Sequence, residues 1–306
     1  MSNRSIKKNP FNHLQMEKGM SELIDHLESK NFATIEEANA YLEKFQGKKI
    51  GSLLKKTGTI KDKALDLVIE AQDSPPPKGI RLARKALEID PDCVDAYNYL
   101  ATQADNIEDA MNYYRKGITI GRELLGEDFF KENTGFFWGI TRTRPFMRAK
   151  AGYAELLIMS GRYDEAIREF KELLVLNPND NQGNRFLLAP LLLRQNYWQD
   201  YDELFKDFDD DSSPAWLYNR ALYLYLKFGG VAKTLTVLRK AIDANPHVVE
   251  LLIGEREIPE YSPDPYSLGS FEEAVIYIGE AIIAWNAHEK ALYWLADYWQ
   301  RHSEMD

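Results

Sequence analysis

The sequence predicts an all-α protein, an α-solenoid in which helical hairpins stack on one another. The first observation is a proline-terminated apolar helix end that recurs as LEIDPD at 87–92, LVLNPND at 174–180 and IDANPH at 242–247, because proline cannot continue a helix. The second is apolar spacing near 3.6 residues around these ends. The third is segment 147–180, which spells one helix–turn–helix unit. Such a unit cannot bury its apolar faces alone, so copies must stack and leave a concave groove.

The composition is that of a soluble globular protein without internal disulfides. Apolar residues make up 44% and charged residues 28% of the 306 positions, which is ordinary for globular chains. The single cysteine, Cys93, fits a reducing compartment. No apolar run approaches the roughly 18 residues that a membrane span needs, and the start MSNRSIKKNPF has no apolar core. We therefore expect a cytoplasmic protein that has no membrane partner.

Charge is distributed unevenly along the chain. The net charge is −10, yet residues 1–63 carry 12 Lys+Arg against 8 Asp+Glu, whereas the remainder carries 26 against 40. An acidic body makes nucleic acid an unlikely partner, since a basic face is needed to displace counterions from phosphates. The lysine-rich run 48–63 either touches an acidic surface or forms a solvated linker, and we favour the linker.

Residues 1–58 are predicted to form an N-terminal helical hairpin followed by a basic linker. Leucines and an isoleucine recur at near-helical spacing within 14–29. Thr34 and the glutamates after it form a capping box, which opens a second helix that runs to about Phe45. Glycines and lysines then break the pattern. Whether this segment fills the groove is open at this point.

Residues 59–306 are predicted to form the solenoid, with an insertion at about 120–146. The fourth unit has lost the small residue at its turn and is interpreted as degenerate. The last two helices are interpreted as a pair that caps the stack. The five units span about 61–91, 94–117, 147–180, 181–211 and 215–246, and the capping helices span 270–285 and 289–302.

The insertion contains an unusual cluster of aromatic and basic residues, FFWGITRTRPF at 136–146. Long loops in compact helical proteins are usually functional or folded onto a surface. One interpretation is a recognition edge in which Trp138, Arg142 and Arg144 contact a partner. The other, which we favour, is that the aromatic rings fill the gap between the second and third units, because so many adjacent rings are costly to expose.

Residues 147–180 resemble the tetratricopeptide (TPR) consensus. The matching residues are Ala154, Gly161, Tyr163, Ala166, Phe170 and Pro178, whereas Lys150 stands where the consensus has an aromatic residue. The segments 135–157 and 176–188 together resemble a group of bacterial TPR proteins, some of which are labelled suppressor-of-tumorigenicity-like. The resemblance implies a right-handed solenoid and a soluble, intracellular, non-enzymatic protein.

The TPR resemblance also implies which residues line the groove, namely a fixed set of positions on the first helix of each unit. Three of them are arginines on an acidic protein, which suggests a guest that carries a carboxylate, since Arg offers two parallel donors. The alternative, which we favour, is that each Arg pairs with an acidic neighbour, for example Arg148 with Glu155. The predicted groove residues are Asn98, Tyr99, Arg148, Gln182, Arg185, Phe186, Trp216, Asn219, Arg220 and Tyr223.

Enzymatic chemistry finds little support in the sequence. The five histidines form no pair at metal-ligand spacing, and Cys93 has no histidine nearby. The run GSLLKKT at 51–57 lacks the ending of a phosphate loop and a preceding strand. The acidic run 207–212 lacks the ligand spacing of a calcium loop. We expect no enzyme activity, no metal and no cofactor.

The sequence therefore predicts a protein-interaction scaffold that holds a peptide or helix of another protein in its groove. The partner is expected to carry an acidic or carboxylate-bearing segment. An alternative is a regulatory protein whose N-terminal hairpin acts on a partner or on nucleic acid while the solenoid senses a ligand. The positive balance of residues 1–63 motivates that alternative.

Overall fold

The computed structural model describes residues 12–44, 58–259 and 265–303, and these residues form helices joined by short turns, with no β-strand among them. The predicted all-α fold is confirmed. Most of the predicted basic linker, the run 51–57 and Phe45 lie outside the described residues. The α-helices are α1 His13–Glu28, α2 Ile35–Glu43, α3 Ile60–Gln72, α4 Pro76–Ile89, α5 Val94–Thr102, α6 Ile107–Leu125, α7 Glu127–Asn133, α8 Arg144–Met159, α9 Tyr163–Leu176, α10 Asn184–Arg194, α11 Trp198–Asp207, α12 Pro214–Phe228, α13 Ala232–Ala244, α14 His247–Leu252, α15 Phe271–Asn286 and α16 Glu289–Ser303.

The chain divides into two compact units, and each is described by itself. Unit 1 comprises Met1–Arg162 and Val175–Asn179, and unit 2 comprises Tyr163–Leu174 and Asp180–Asp306. None of the described helices is both long enough and apolar enough to cross a lipid bilayer.

Unit 1 contains helix pairs that pack in the order expected of a solenoid. Helix α3 pairs with α4, and α5 pairs with α6. The first helix of each pair contacts the first helix of the next, α3 with α5 and α5 with α8, while α4 contacts α5 and α6 contacts α8. Small residues permit these close approaches. A Cβ atom on Gly79 would lie 1.9 Å from the Tyr99 hydroxyl, and one on Gly152 would lie 2.4 Å from the Tyr114 ring.

The insertion is folded onto unit 1. Helix α6 runs on to Leu125, and α7 and two 3₁₀ turns, Phe137–Gly139 and Thr141–Thr143, lead into α8. The Phe130 ring lies 4.9 Å from the Phe137 ring and 5.4 Å from the Phe146 ring, measured between centroids. All three are buried. Phe137 and Phe146 of the insertion therefore pack inside unit 1, whereas Phe136 is 74% exposed.

The corner of the predicted fourth unit has the same turn geometry as the corner of the third unit, although its sequence lacks the glycine. After α8, Gly161 has a φ of +72° and donates to the Ile158 carbonyl at 2.9 Å, while Arg162 donates to the Leu157 carbonyl at 2.9 Å. After α10, Asn196 takes the same role, with a φ of +58° and matching bonds from Asn196 and Tyr197 to the preceding turn. Asparagine tolerates this left-handed conformation better than most residues. The unit is therefore degenerate at this corner in sequence but not in turn geometry.

Unit 2 contains the pairs α10–α11 and α12–α13, and helix α15 contacts both of them. Helix α15 packs along α10 and α14 and also touches α12. Alanines at 274, 281 and 284 are fully buried, so the α15 backbone can approach its neighbours closely. Helix α15 thus covers α10, the first helix of an earlier pair, and the role of α15 and α16 as a capping pair stays a prediction.

Candidate functional site

The candidate site is the side of unit 1 formed by the first helices α3, α5 and α8, which we call the first-helix face of unit 1. The N-terminal helix α1 lies on this face. Leu14 of α1 is buried in one cluster with Ala64, Val68 and Ala96. At the start of α1, the Asn12 amide nitrogen lies 3.5 Å from the Ile69 carbonyl oxygen. The cluster also contains Ala86 of α4, so the apolar contact of α1 is made where α3, α4 and α5 meet. Helix α1 also contacts the 3₁₀ turn Thr141–Thr143.

Charged side chains continue this contact toward α8. The Arg148 Nη1 atom donates to both carboxylate oxygens of Glu17, at 3.0 and 2.9 Å, and its Nη2 atom donates to Asp95 at 2.9 Å. The Arg144 Nη1 atom lies 3.3 Å from the same Glu17 carboxylate. Two guanidinium groups and two carboxylates therefore share one site. A second pair joins Lys18 of α1 to Asp66 of α3 at 2.6 Å.

Partial burial strengthens the pairing around Arg148. The side chains of Glu17 and Arg148 are 16% and 27% exposed, so water screens them less than it screens a fully exposed pair. Burial alone disfavours the charged guanidinium, but Asp95 and Glu17 outweigh it and hold the pKa of Arg148 above its usual value. Two carboxylates therefore lie beside Arg148: Asp95 belongs to α5 and Glu17 belongs to α1.

The insertion and α5 position the two arginines. The Arg144 Nε atom donates to the Trp138 carbonyl at 2.9 Å, and its guanidinium carbon lies 5.1 Å from the centroid of the Trp138 ring. Asn98 donates to the Pro145 carbonyl at 3.0 Å and thereby fixes the start of α8. The Thr143 hydroxyl donates to the carbonyls of Phe137 and Ile140. The start of α8 is therefore held by hydrogen bonds with Asn98 of α5 and with the backbone of the insertion.

The predicted site residues of unit 1 have different environments. Arg148, Arg144 and Trp138 lie together at the α1 contact. Tyr99 packs against the cluster that contains Leu14, and its hydroxyl lies against Gly79 of α4. Arg142 is exposed and lies over the Phe129 ring, 4.3 Å from its centroid.

In unit 2, Trp216, Asn219 and Tyr223 are buried and cannot line an open groove. Asn219 accepts a hydrogen bond from the Tyr277 hydroxyl of α15 at 3.1 Å, and that hydroxyl accepts one from Trp285 at 2.9 Å. For these three residues the expectation of an open groove is corrected. Their side chains belong to the core that unit 2 forms with its own helices.

The remaining predicted residues of unit 2 mostly tie neighbouring segments together. Arg185 donates to Asp180 at 2.9 Å and to Asp211 at 3.0 and 3.1 Å. Its guanidinium also lies 4.1 Å from the centroid of the Phe186 ring. Arg220 lies over the Phe205 ring at 3.8 Å. Gln182 is half-buried.

Glu17 is the residue that the sequence analysis missed. The arginine–acid pairing that we favoured is found at Arg148, but the acids are Asp95 and Glu17 in place of Glu155. The available signal was the spacing of Leu14, Glu17 and Lys18, which places an apolar and two charged side chains on one side of a helix. Nothing in that spacing indicated which surface this side would contact.

Nucleophilic and metal chemistry find no support at the described positions. Burial raises the pKa of the Cys93 thiol to about 12, so almost no reactive thiolate forms near neutral pH. Within 12–44, 58–259 and 265–303 there is no group of three or more His, Cys, Asp or Glu side chains that could hold a metal ion.

Comparisons with known proteins were made with family models, curated proteins and solved structures. No protein-family model matches the chain, and no curated protein matches it. One similar solved structure is the crystal structure of YrrB, described as a TPR protein with an unusual peptide-binding site. The two chains are 18% identical, the match covers 60% of this chain and 84% of YrrB, and the TM-score is 0.44. The resemblance to the suppressor-of-tumorigenicity-like group stays a prediction.

Proposed function

We propose that this protein is a protein-interaction scaffold that binds an amphipathic helix of another protein on the first-helix face of unit 1. The observation that carries the proposal is the seating of α1 on that face by one apolar side chain and two charged ones, Leu14, Glu17 and Lys18. A surface that already binds one amphipathic helix has the apolar recess and the charges that a helix ligand needs.

The charges of the face define the partner more closely. Without α1, the site around Arg148 keeps two guanidinium groups, those of Arg144 and Arg148, and one carboxylate, that of Asp95, which pairs with Arg148. Two guanidinium groups favour a carboxylate, to which each can donate hydrogen bonds. We therefore propose an acidic side chain as the central contact of the partner helix.

The regulatory alternative receives less support from the described part of the N-terminal segment. Helix α2 begins with Glu36 and Glu37, where a nucleic-acid-binding helix would carry basic residues. Lys18 of α1 is already paired with Asp66. Nucleic-acid binding therefore stays a prediction without an observation that favours it.

Binding in trans tests the proposed function. The probe is a fluorescein-labelled peptide of residues 12–29, NHLQMEKGMSELIDHLES, added to the full-length chain carrying Leu14→Asp, which removes the apolar anchor of α1. We expect saturable binding by fluorescence anisotropy. In that background Arg148→Ala should weaken binding at least tenfold, about the loss of one partly buried charged hydrogen bond.

A matched control uses an exposed arginine on a second helix of unit 1. Arg84 is exposed on α4, a second helix of a pair, and Arg84→Ala should leave the affinity unchanged. Equal losses in the two arginine variants would assign the binding to general electrostatic attraction and would contradict the proposed face.

A further inference from the structure

We infer that α1 is a built-in competitor that occupies the helix-binding face until a partner helix with the same contact pattern displaces it. This inference rests on the proposed function. The pattern is an apolar residue followed three and four positions later by an acidic and a basic residue, as Leu14, Glu17 and Lys18 are arranged. The occupant of the face is therefore the chain's own helix in one state and an acidic amphipathic helix of another protein in the other.

The contacts of α1 are suited to release. Leu14 is its one buried apolar side chain, while Met16 and Met20 are 60% and 52% exposed. The polar contacts of α1 are the long Asn12–Ile69 hydrogen bond, the partly buried pairs of Glu17 with Arg144 and Arg148, and the Lys18–Asp66 pair, in which Asp66 is 64% exposed. Exposed ion pairs contribute little net stability in water. A helix that buries one large apolar residue gains far less from docking than a helix with a continuous apolar stripe.

A glycine in the middle of α1 lowers its helical stability further. Gly19 lies in the turn after Glu17, and a Cβ atom built on it would meet no other atom within 4 Å. No close packing therefore requires glycine there, although glycine is among the poorest helix formers. Replacement by alanine should favour the docked helix without changing any contact, which makes Gly19→Ala a direct test of competition.

Release of α1 also leaves guanidinium groups that favour a replacement helix with a carboxylate. When Glu17 leaves, Arg148 keeps Asp95, whereas Arg144 loses the carboxylate with which it pairs. A partly buried guanidinium that loses its carboxylate partner is left uncompensated. A partner helix that brings a carboxylate restores the pairing, whereas one that brings an amide does not.

The experiment measures binding of the same labelled 12–29 peptide to three full-length chains: the unmodified chain, Leu14→Asp and Gly19→Ala. Hydrogen exchange of residues 13–28 independently reports whether α1 is docked in each chain. If α1 competes, Leu14→Asp should bind the peptide at least tenfold more tightly than the unmodified chain. Gly19→Ala should bind it about fivefold more weakly, a difference of about 1 kcal/mol.

A second peptide tests the carboxylate. The peptide with glutamine in place of Glu17 should bind the Leu14→Asp chain at least tenfold more weakly than the parent peptide. Equal affinity of the two peptides would overturn the chemistry that we assign to the partner.

The outcomes separate this inference from the proposed function. If no chain binds the peptide even when exchange shows that α1 is released, the proposed function fails. If all three chains bind it equally, the face accepts a helix but α1 does not compete, and only the inference fails. Tighter binding by Leu14→Asp together with weaker binding by Gly19→Ala supports both.

Discussion

Units 1 and 2 each cover a surface of first helices with a helix from one end of the chain, but they hold it by different means. In unit 1, α1 is held by Leu14 and by ion pairs to Arg148, Arg144 and Asp66. In unit 2, α15 lies on α10 with most of one side buried, and its backbone and rings also make hydrogen bonds. The buried residues of α15 are Ala274, Val275, Tyr277, Ile278, Ala281, Ala284 and Trp285.

The difference shows how one architecture can give a permanent contact and a reversible one. Burial of apolar surface contributes roughly 25 cal/mol for each Å² and is not screened by salt. Exposed ion pairs contribute about 0 to 1 kcal/mol each and weaken as ionic strength rises. We therefore regard α15 as part of the core of unit 2 and α1 as a removable ligand of unit 1.

The largest expected effect is a difference in the free energy of unfolding that is lost when α15 or α1 loses a buried side chain. Trp285→Ala removes a fully buried ring from α15 and should lower the free energy of unfolding by about 3 to 5 kcal/mol. Leu14→Ala should lower it by no more than about 2 kcal/mol, since α1 can detach instead of enclosing a cavity. Urea denaturation monitored by circular dichroism measures both. Equal losses would contradict the distinction between core helix and removable helix.

The next effect concerns the hydrogen-bond chain that fixes α15. The Tyr277 hydroxyl joins Asn219 to Trp285, and all three side chains are buried. Tyr277→Phe keeps the ring but leaves the indole N–H and the Asn219 oxygen without this partner, which should cost about 1 to 3 kcal/mol. Denaturation of the variant checks the value. A change below about 0.5 kcal/mol would show that water replaces the hydroxyl, and that this end of α15 is less dry than its burial indicates.

Salt should weaken the docking of α1 but not that of α15. Raising sodium chloride from 50 mM to 1 M should increase hydrogen exchange within residues 13–28 several-fold, because the Lys18–Asp66 pair, whose Asp66 side chain is 64% exposed, is screened. Residues 271–286 should keep their protection, since apolar burial does not weaken in salt. Mass spectrometry of peptic fragments resolves both segments in one sample. Equal acceleration of exchange in the two segments would contradict the distinction between α1 and α15.

The smallest effect uses Cys93 as a reporter of α1. Cys93 packs against the cluster that contains Leu14, and burial raises its pKa to about 12. A raised thiol pKa leaves less thiolate than the free thiol has at pH 8, so alkylation by iodoacetamide should be slow. Leu14→Asp should accelerate it a few-fold by opening the cluster. A rate that does not respond to α1 release would place Cys93 outside the reach of that helix.

The sequence predicted helices and their ends well because local chemistry decides them. The prolines at 91, 178 and 246 follow α4, α9 and α13 within one or two residues, as their missing N–H group requires. The turn geometry at Asn196 was not predicted because asparagine can adopt the left-handed conformation without being glycine. Such a substitution becomes visible only once the backbone angles are known.

Which side chains face a groove was only partly predictable. The TPR resemblance implied the first-helix positions of Arg148 and Asn219, but the apolar patterns of α1 and α15 do not say which surface each helix covers. Arg148 lies opposite a carboxylate, and that carboxylate belongs to Glu17 of the same chain. Contacts between residues so far apart in sequence depend on tertiary packing, which local patterns do not encode.

Competition between α1 and an external helix is the central claim, and hydrogen exchange with added peptide tests it most directly. The full-length chain is incubated with a large excess of unlabelled 12–29 peptide in which one exposed methionine is replaced by norleucine, so that mass distinguishes it from α1. We predict faster exchange in residues 13–28 of the chain, with residues 271–286 unchanged. Peptide that binds to the chain while residues 13–28 keep their full protection would contradict the claim.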